Sequence, residues 1–117
     1  MKIKYDNSHV EKLCKEKKYA LKHMELRVYN KLLSIINYIE SATSLLDIKN
    51  YPSYRFHDLE GDDYKNQWTI SIGRTGYRVH IIPLNSENNP IEKGDVLPQI
   101  QSIKIMLIKE ISNHYGK

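Results

Sequence analysis

Six side chains in the second half of the chain have the types needed to move protons beside a phosphate. They are Arg55, His57, Arg78, His80, His114 and Tyr115. Metal-free RNA cleavage asks for such a set. One group takes the proton of a ribose 2′-hydroxyl, another protonates the leaving 5′-oxygen, and a cation faces the developing negative charge. The bland alternative is that these are ordinary polar residues on a wet sheet face. Other chemistries find no purchase. There is no GxxxxGK[ST] or GxGxxG loop to cradle a phosphate. No HExxH or paired His/Cys spacing suggests a metal, and no GxSxG elbow is present. Asp62-Asp63 follows Gly61 directly and reads as a solvated turn.

Such residues need a sheet to gather them, and the second half has the pattern of one. Tyr54 to Leu59 alternates and predicts a strand, and Glu60 to Asp63 predicts a turn. In Trp68-Thr69-Ile70-Ser71-Ile72 the period of two sends Trp68, Ile70 and Ile72 to a buried face. Gly73-Arg74-Thr75-Gly76 is a hairpin loop. The next strand, Tyr77 to Ile82, puts Tyr77, Val79 and Ile81 inward and Arg78 and His80 outward. Pro83 should stop it. Residues 84–101 are polar and predict an exposed loop. The Ile-rich run from Ile103 to Ile111 predicts a central strand. Residues of one face on neighbouring strands approach each other, so Arg55, His57, Arg78 and His80 can meet.

The first half is helical by pattern. Ser8 with Glu11 three residues on fits a capping box. Val10, Leu13, Cys14 and Leu21 form an apolar stripe, with Lys12, Lys15, Lys18 and Lys22 mostly outside it. Val28, Leu32, Ile35, Ile39, Ala42 and Leu46 form a second stripe, widened by Leu33 and Ile36. No Gly or Pro interrupts Met1 to Leu46, which predicts two long helices. Asn50-Tyr51-Pro52 ends this half. Lys2 to Tyr5 adds a candidate edge strand. The expectation is one α+β domain over residues 1–117: two N-terminal helices packed on one face of a mostly antiparallel sheet.

The 117 residues suit a single core. Charged residues are 27% and the net charge is +4, compatible with a nucleic-acid partner. That excess lies in residues 1–50, with ten basic and six acidic side chains; residues 51–117 carry eight of each. The lysines at positions 12, 15, 17, 18 and 22 are read first as a solvated helix face. Nine tyrosines stand against one Trp and one Phe. Tyr both stacks on bases and fills half-buried positions, so the count alone decides nothing. No apolar run reaches the ~20 residues of a membrane span, and no apolar stretch of a secretory leader follows the first residues. With a lone Cys14, no internal disulfide can form, and a reducing cytoplasm is the expected location.

Phe56-His57-Asp58-Leu59-Glu60-Gly61-Asp62, then Trp68-Thr69-Ile70, then Tyr77-Arg78-Val79, resembles the HigB toxins of type II toxin–antitoxin systems, within the RelE/ParE superfamily. The likeness runs through nearly the whole chain in the same order. It implies a RelE-like fold and a ribosome-dependent endoribonuclease that cuts mRNA without a metal or cofactor. It also implies a partner antitoxin, HigA-like and of helix-turn-helix type. Under this resemblance His57 and Arg78 match family site residues. Arg78 is the candidate for transition-state charge, and His57 and His114 are candidates for proton transfer. Tyr115 is a candidate to stack on or orient a base. Arg55, Lys65, Arg74 and His80 are candidate RNA contacts. The chain departs from the family in two places. Its tail reads Asn113-His114-Tyr115 where the family commonly ends Asp-Tyr-His, and Glu60 stands where some members carry a catalytic Lys. Two other readings stay open: a ParE-like gyrase poison without catalysis, and a non-catalytic RNA- or protein-binding module.

Overall fold

The computed structural model describes residues 1–113. Its sheet is built from β1 (Lys2–Tyr5), β2 (His57–Asp58), β3 (Trp68–Ser71), β4 (Tyr77–Leu84) and β5 (Ile105–Asn113), in the order β1-β5-β4-β3-β2. The Ile-rich run is a central strand, as its composition predicts, flanked by β1 and β4. β1 runs parallel to β5 and the other three pairings are antiparallel, so the sheet is mixed. Helices α1 (Ser8–Lys15), α2 (Lys17–Ala20), α3 (Leu26–Ser41) and α4 (Leu45–Lys49) precede β2. A fifth, α5 (Lys93–Val96), lies between β4 and β5.

The apolar stripes explain the packing. Val28, Leu32, Ile35 and Ile39 of α3 are buried in one cluster with Trp68, Ile70 and Ile72 around β3 and with Val79, Ile81, Met106 and Ile108. Each large aliphatic side chain so buried stabilises the fold by about 1.5–3 kcal/mol. Leu33 is exposed, so the stripe widens only through Ile36.

The first predicted helix is shorter than its pattern. Asn7, not Ser8, caps it: the Asn7 side-chain oxygen accepts from the Val10 amide at 3.0 Å. Glu16 is extended (φ −116°, ψ 101°) and ends α1. The phase of the stripe is lost there, and Leu21 is 41% exposed.

Three further departures have physical reasons. The strand expected over Tyr54–Leu59 shrinks to His57–Asp58, because Pro52–Tyr54 closes as a 3-10 turn that buries Tyr54. β4 continues through Pro83. There β3 has already ended its pairing, at Trp68 opposite Ile81, so the missing N–H lies on an edge. The Pro83 carbonyl on that edge accepts from the Ile91 amide at 3.0 Å. Residues 85–90 form an exposed loop as expected, but the rest of 84–101 does not. Ile91, Val96 and Ile100 fold into the core through α5 and the 3-10 segment Leu97–Ser102. Among the described residues no helix is long and apolar enough to cross a membrane.

Candidate functional site

The sheet register brings the polar strand residues into rows. His57 pairs with Thr69, Thr69 with His80, and His80 with Glu110. In the next row Ser71 pairs with Arg78 and Arg78 with Ser112. Paired residues put their side chains on one face, so His57 and Arg78 share the face turned away from Ile70, Val79 and Ile81.

Around this corner lies a cleft of about 620 Å³. Arg55, His57, Arg74 and Arg78 line it, with Ser71, Gly73, Gly76 and Tyr77 completing its wall. Three arginines line it, and among the described residues no carboxylate does. Such a surface attracts a polyanion, and each Arg can hold a phosphate through two hydrogen bonds.

Local backbone geometry aims the one imidazole that lines the cleft among the described residues. Arg55 follows the Pro52–Tyr54 turn in the left-handed region (φ 48°, ψ 44°). An Arg in that conformation costs about 1–2 kcal/mol. Its amide donates to the Pro52 carbonyl at 3.1 Å, and its own carbonyl accepts from His57 Nδ1 at 2.6 Å. A carbonyl can only accept, so Nδ1 carries a proton, and in the neutral ring Nε2 carries the lone pair. His57 is exposed, and that nitrogen is free of the Arg55 contact. It can take a proton from a hydroxyl brought into the cleft, or hand one back.

The opposite wall is the hairpin from Ile72 to Tyr77. The Ile72 amide donates to the Tyr77 carbonyl at 3.0 Å, and Thr75 Oγ1 donates to the Ile72 carbonyl at 2.6 Å. Gly73 (φ 53°) and Gly76 (φ 86°) take the positive angles the turn demands. A Cβ at Gly73 would lie 2.9 Å from Lys31 Cδ, so the Lys31 side chain would have to shift. The turn holds Arg74 at its tip, beside Arg78 on the strand it leads into.

Not every expected residue arrives at the cleft. His80 is 4% exposed. Its Nε2 is hydrogen-bonded to Ser112 Oγ at 2.8 Å, Glu110 Oε1 stands 3.7 Å from its Nδ1, and the Tyr64 ring meets it edge-on. Burial pushes its pKa below the ordinary value, Arg78 pushes the same way, and Glu110 opposes. His80 is thus an interior link between β4 and β5, and its ring is not presented to an RNA. Lys65 lines a second surface depression, with Asp62, Asn66, Glu92 and Lys93, away from the cleft. His114 and Tyr115 lie outside the described residues.

Residues the sequence reading passed over also contribute. Ser71 lines the cleft opposite Arg78, which the hairpin register would have revealed. Tyr77 packs partly against the core, as its inward period predicts. At the start of β4 it is half-exposed, lines the cleft, and donates its hydroxyl to the His23 carbonyl at 3.4 Å. No local pattern marks Lys31, which reaches the hairpin from α3.

The fold and the cleft together define a small α+β protein whose mixed sheet carries a strongly cationic corner. No family model matches the chain, and no curated protein matches it. Among solved structures, the crystal structure of the archaeal RelE–RelB complex from Pyrococcus horikoshii OT3 is similar. The TM-score is 0.54 over 99% of this chain and 97% of that chain, at 16% identity. At that identity the likeness shows a RelE-like fold.

Proposed function

We propose that the protein is the toxin of a type II toxin–antitoxin pair and cleaves mRNA on the ribosome, in the cytoplasm. The observation that carries this reading is the cleft that sets His57, with a fixed tautomer, among Arg55, Arg74 and Arg78. The RelE-like fold and the HigB-like residue pattern support it.

In the proposed reaction the ribose 2′-oxygen bonds to phosphorus as the bond to the 5′-oxygen breaks. The products are a 2′,3′-cyclic phosphate and a 5′-hydroxyl. His57 Nε2 is the candidate acceptor of the 2′-hydroxyl proton. Arg78 faces the charge that builds on the phosphoryl oxygens, and Arg55 and Arg74 hold the flanking backbone. His114 remains the candidate donor to the leaving oxygen, and Tyr115 the candidate to orient a base. No metal enters this scheme. The partner in this reading is an antitoxin, HigA-like and of helix-turn-helix type, that blocks access to the cleft.

Expression of the protein alone should arrest growth, and co-expression of the neighbouring reading frame should restore it. Harmless accumulation of folded protein would overturn the proposal. Growth arrest with intact mRNA and inhibited DNA gyrase would instead support the ParE-like reading.

A further inference from the structure

At the hairpin end of the sheet two independent contacts tie the wall of the cleft to the helical layer. Lys31 of α3 lies against the hairpin: its Nζ is 3.4 Å from where a Gly73 Cβ would be, and Gly73 lines the cleft. Tyr77, also in the cleft wall, donates its hydroxyl to the His23 carbonyl. Beyond His23 the surface is aromatic. His9, Tyr19 and His23 form a mutual ring cluster, with centroids 5.0–5.6 Å apart. His9 Nδ1 and the Tyr19 hydroxyl share a 2.5 Å hydrogen bond that ties α1 to α2. Lys12 stands over the Tyr19 ring at 5.5 Å. His9 and His23 are exposed and Tyr19 is half-buried. Nearby on the chain, Lys17, Lys18 and Lys22 are exposed too, and this half of the protein holds the whole net positive charge.

Aromatic rings interleaved with cations, joined to the wall of a cationic cleft through Tyr77 and Lys31, match one kind of ligand. A single-stranded polynucleotide has phosphates for the cations and unpaired bases for the rings. An acidic protein segment would be satisfied by the lysines alone and has no use for an exposed ring cluster.

We propose that this surface is a second RNA-binding segment. On it the strand leaving the cleft passes Lys31 and Tyr77 and lays a base on the His9/Tyr19/His23 platform. The proposal rests on the RNA-cleaving reading of the cleft and extends it. The platform holds the strand several nucleotides from the cleaved bond, so it adds affinity for long substrates and none for short ones.

The test uses the full-length protein and 2′-O-methyl oligoribonucleotides, which lack the attacking hydroxyl. A trinucleotide spans only the cleft, whereas a dodecamer also reaches the platform. Binding is followed by fluorescence anisotropy of an end label. His23→Ala and Lys31→Met alter exposed side chains, and Tyr19→Phe keeps the ring but removes the hydroxyl. His23→Ala and Lys31→Met should each weaken dodecamer binding about fivefold or more and leave the trinucleotide unchanged. Tyr19→Phe should stay within about twofold of the wild type. Dodecamer binding that depends on Arg55 and Arg78 but ignores His23 and Lys31 would overturn the platform and leave the cleft reading intact. Dodecamer binding that ignores Arg55 and Arg78 as well would overturn both.

Discussion

Replacing Arg78 by Ala isolates the charge of the cleft from the fold that carries it. The backbone of Arg78 is held on both sides, opposite Ser71 of β3 and Ser112 of β5, and neither ladder depends on the side chain. The apolar partners of β4, Val79 and Ile81, point to the other face and are fully buried. Truncation should therefore leave a cooperative unfolding transition. The loss in rate should be much larger. Removing one charged donor from a developing phosphoryl charge costs on the order of 2–4 kcal/mol of transition-state stabilisation. At about 1.36 kcal/mol per factor of ten, that is roughly 30- to 1,000-fold in rate. Arg78→Lys keeps the charge and loses the two-pronged donor, so it should recover only part of the loss. The assay is the initial rate of cleavage of a translated mRNA, followed by primer extension, with thermal unfolding measured alongside. Arg78→Ala cutting at the wild-type rate while folded would refute the role given to this residue.

Other consequences follow from particular contacts. Gly73→Ala forces an L side chain to φ 53° and against Lys31, so it should lower the melting temperature by several degrees, read by circular dichroism. Leu32→Ala empties a fully buried site under the sheet and should cost about 2–5 kcal/mol in urea unfolding. Burial raises the Cys14 thiol to about 12, so a thiol-specific reagent should label the native protein far more slowly than the unfolded one. His80 has its pKa lowered in the fold, so the unfolded chain binds the extra proton as pH drops below about 6.5. Stability contributed by the neutral ring is then present above that pH and is lost on acidification. His80→Gln should flatten the fall in stability below pH 6.5, measured by urea titrations across that range.

The strands around the cleft were legible because alternation is strict where one face is buried. Ile70, Val79 and Ile81 declare that face, and Arg78 falls opposite by counting. The same counting places His80 on that outer face, where the register puts it, but period assigns a side and not its cover. Tyr64 and Ser112 close over that position, and neither is near it in sequence. Leu21 was misjudged because nothing local signals the extended Glu16 that breaks the helical phase. Residues 84–101 misled through composition, since Ile91, Val96 and Ile100 are too sparse to show a period and too apolar for solvent. The turn that aims His57 was hidden most completely. It depends on Arg55 adopting a left-handed conformation, for which Arg carries no propensity.

Cleavage of mRNA on the ribosome is read by mapping RNA ends. Purified protein is added to a cell-free translation reaction, and the mRNA is compared with the same mRNA left untranslated. New 3′ ends bearing 2′,3′-cyclic phosphate should appear on the translated message, few or none on the free message, and Arg78→Ala should abolish them. Intact translated mRNA in the presence of folded protein would contradict cleavage on the ribosome.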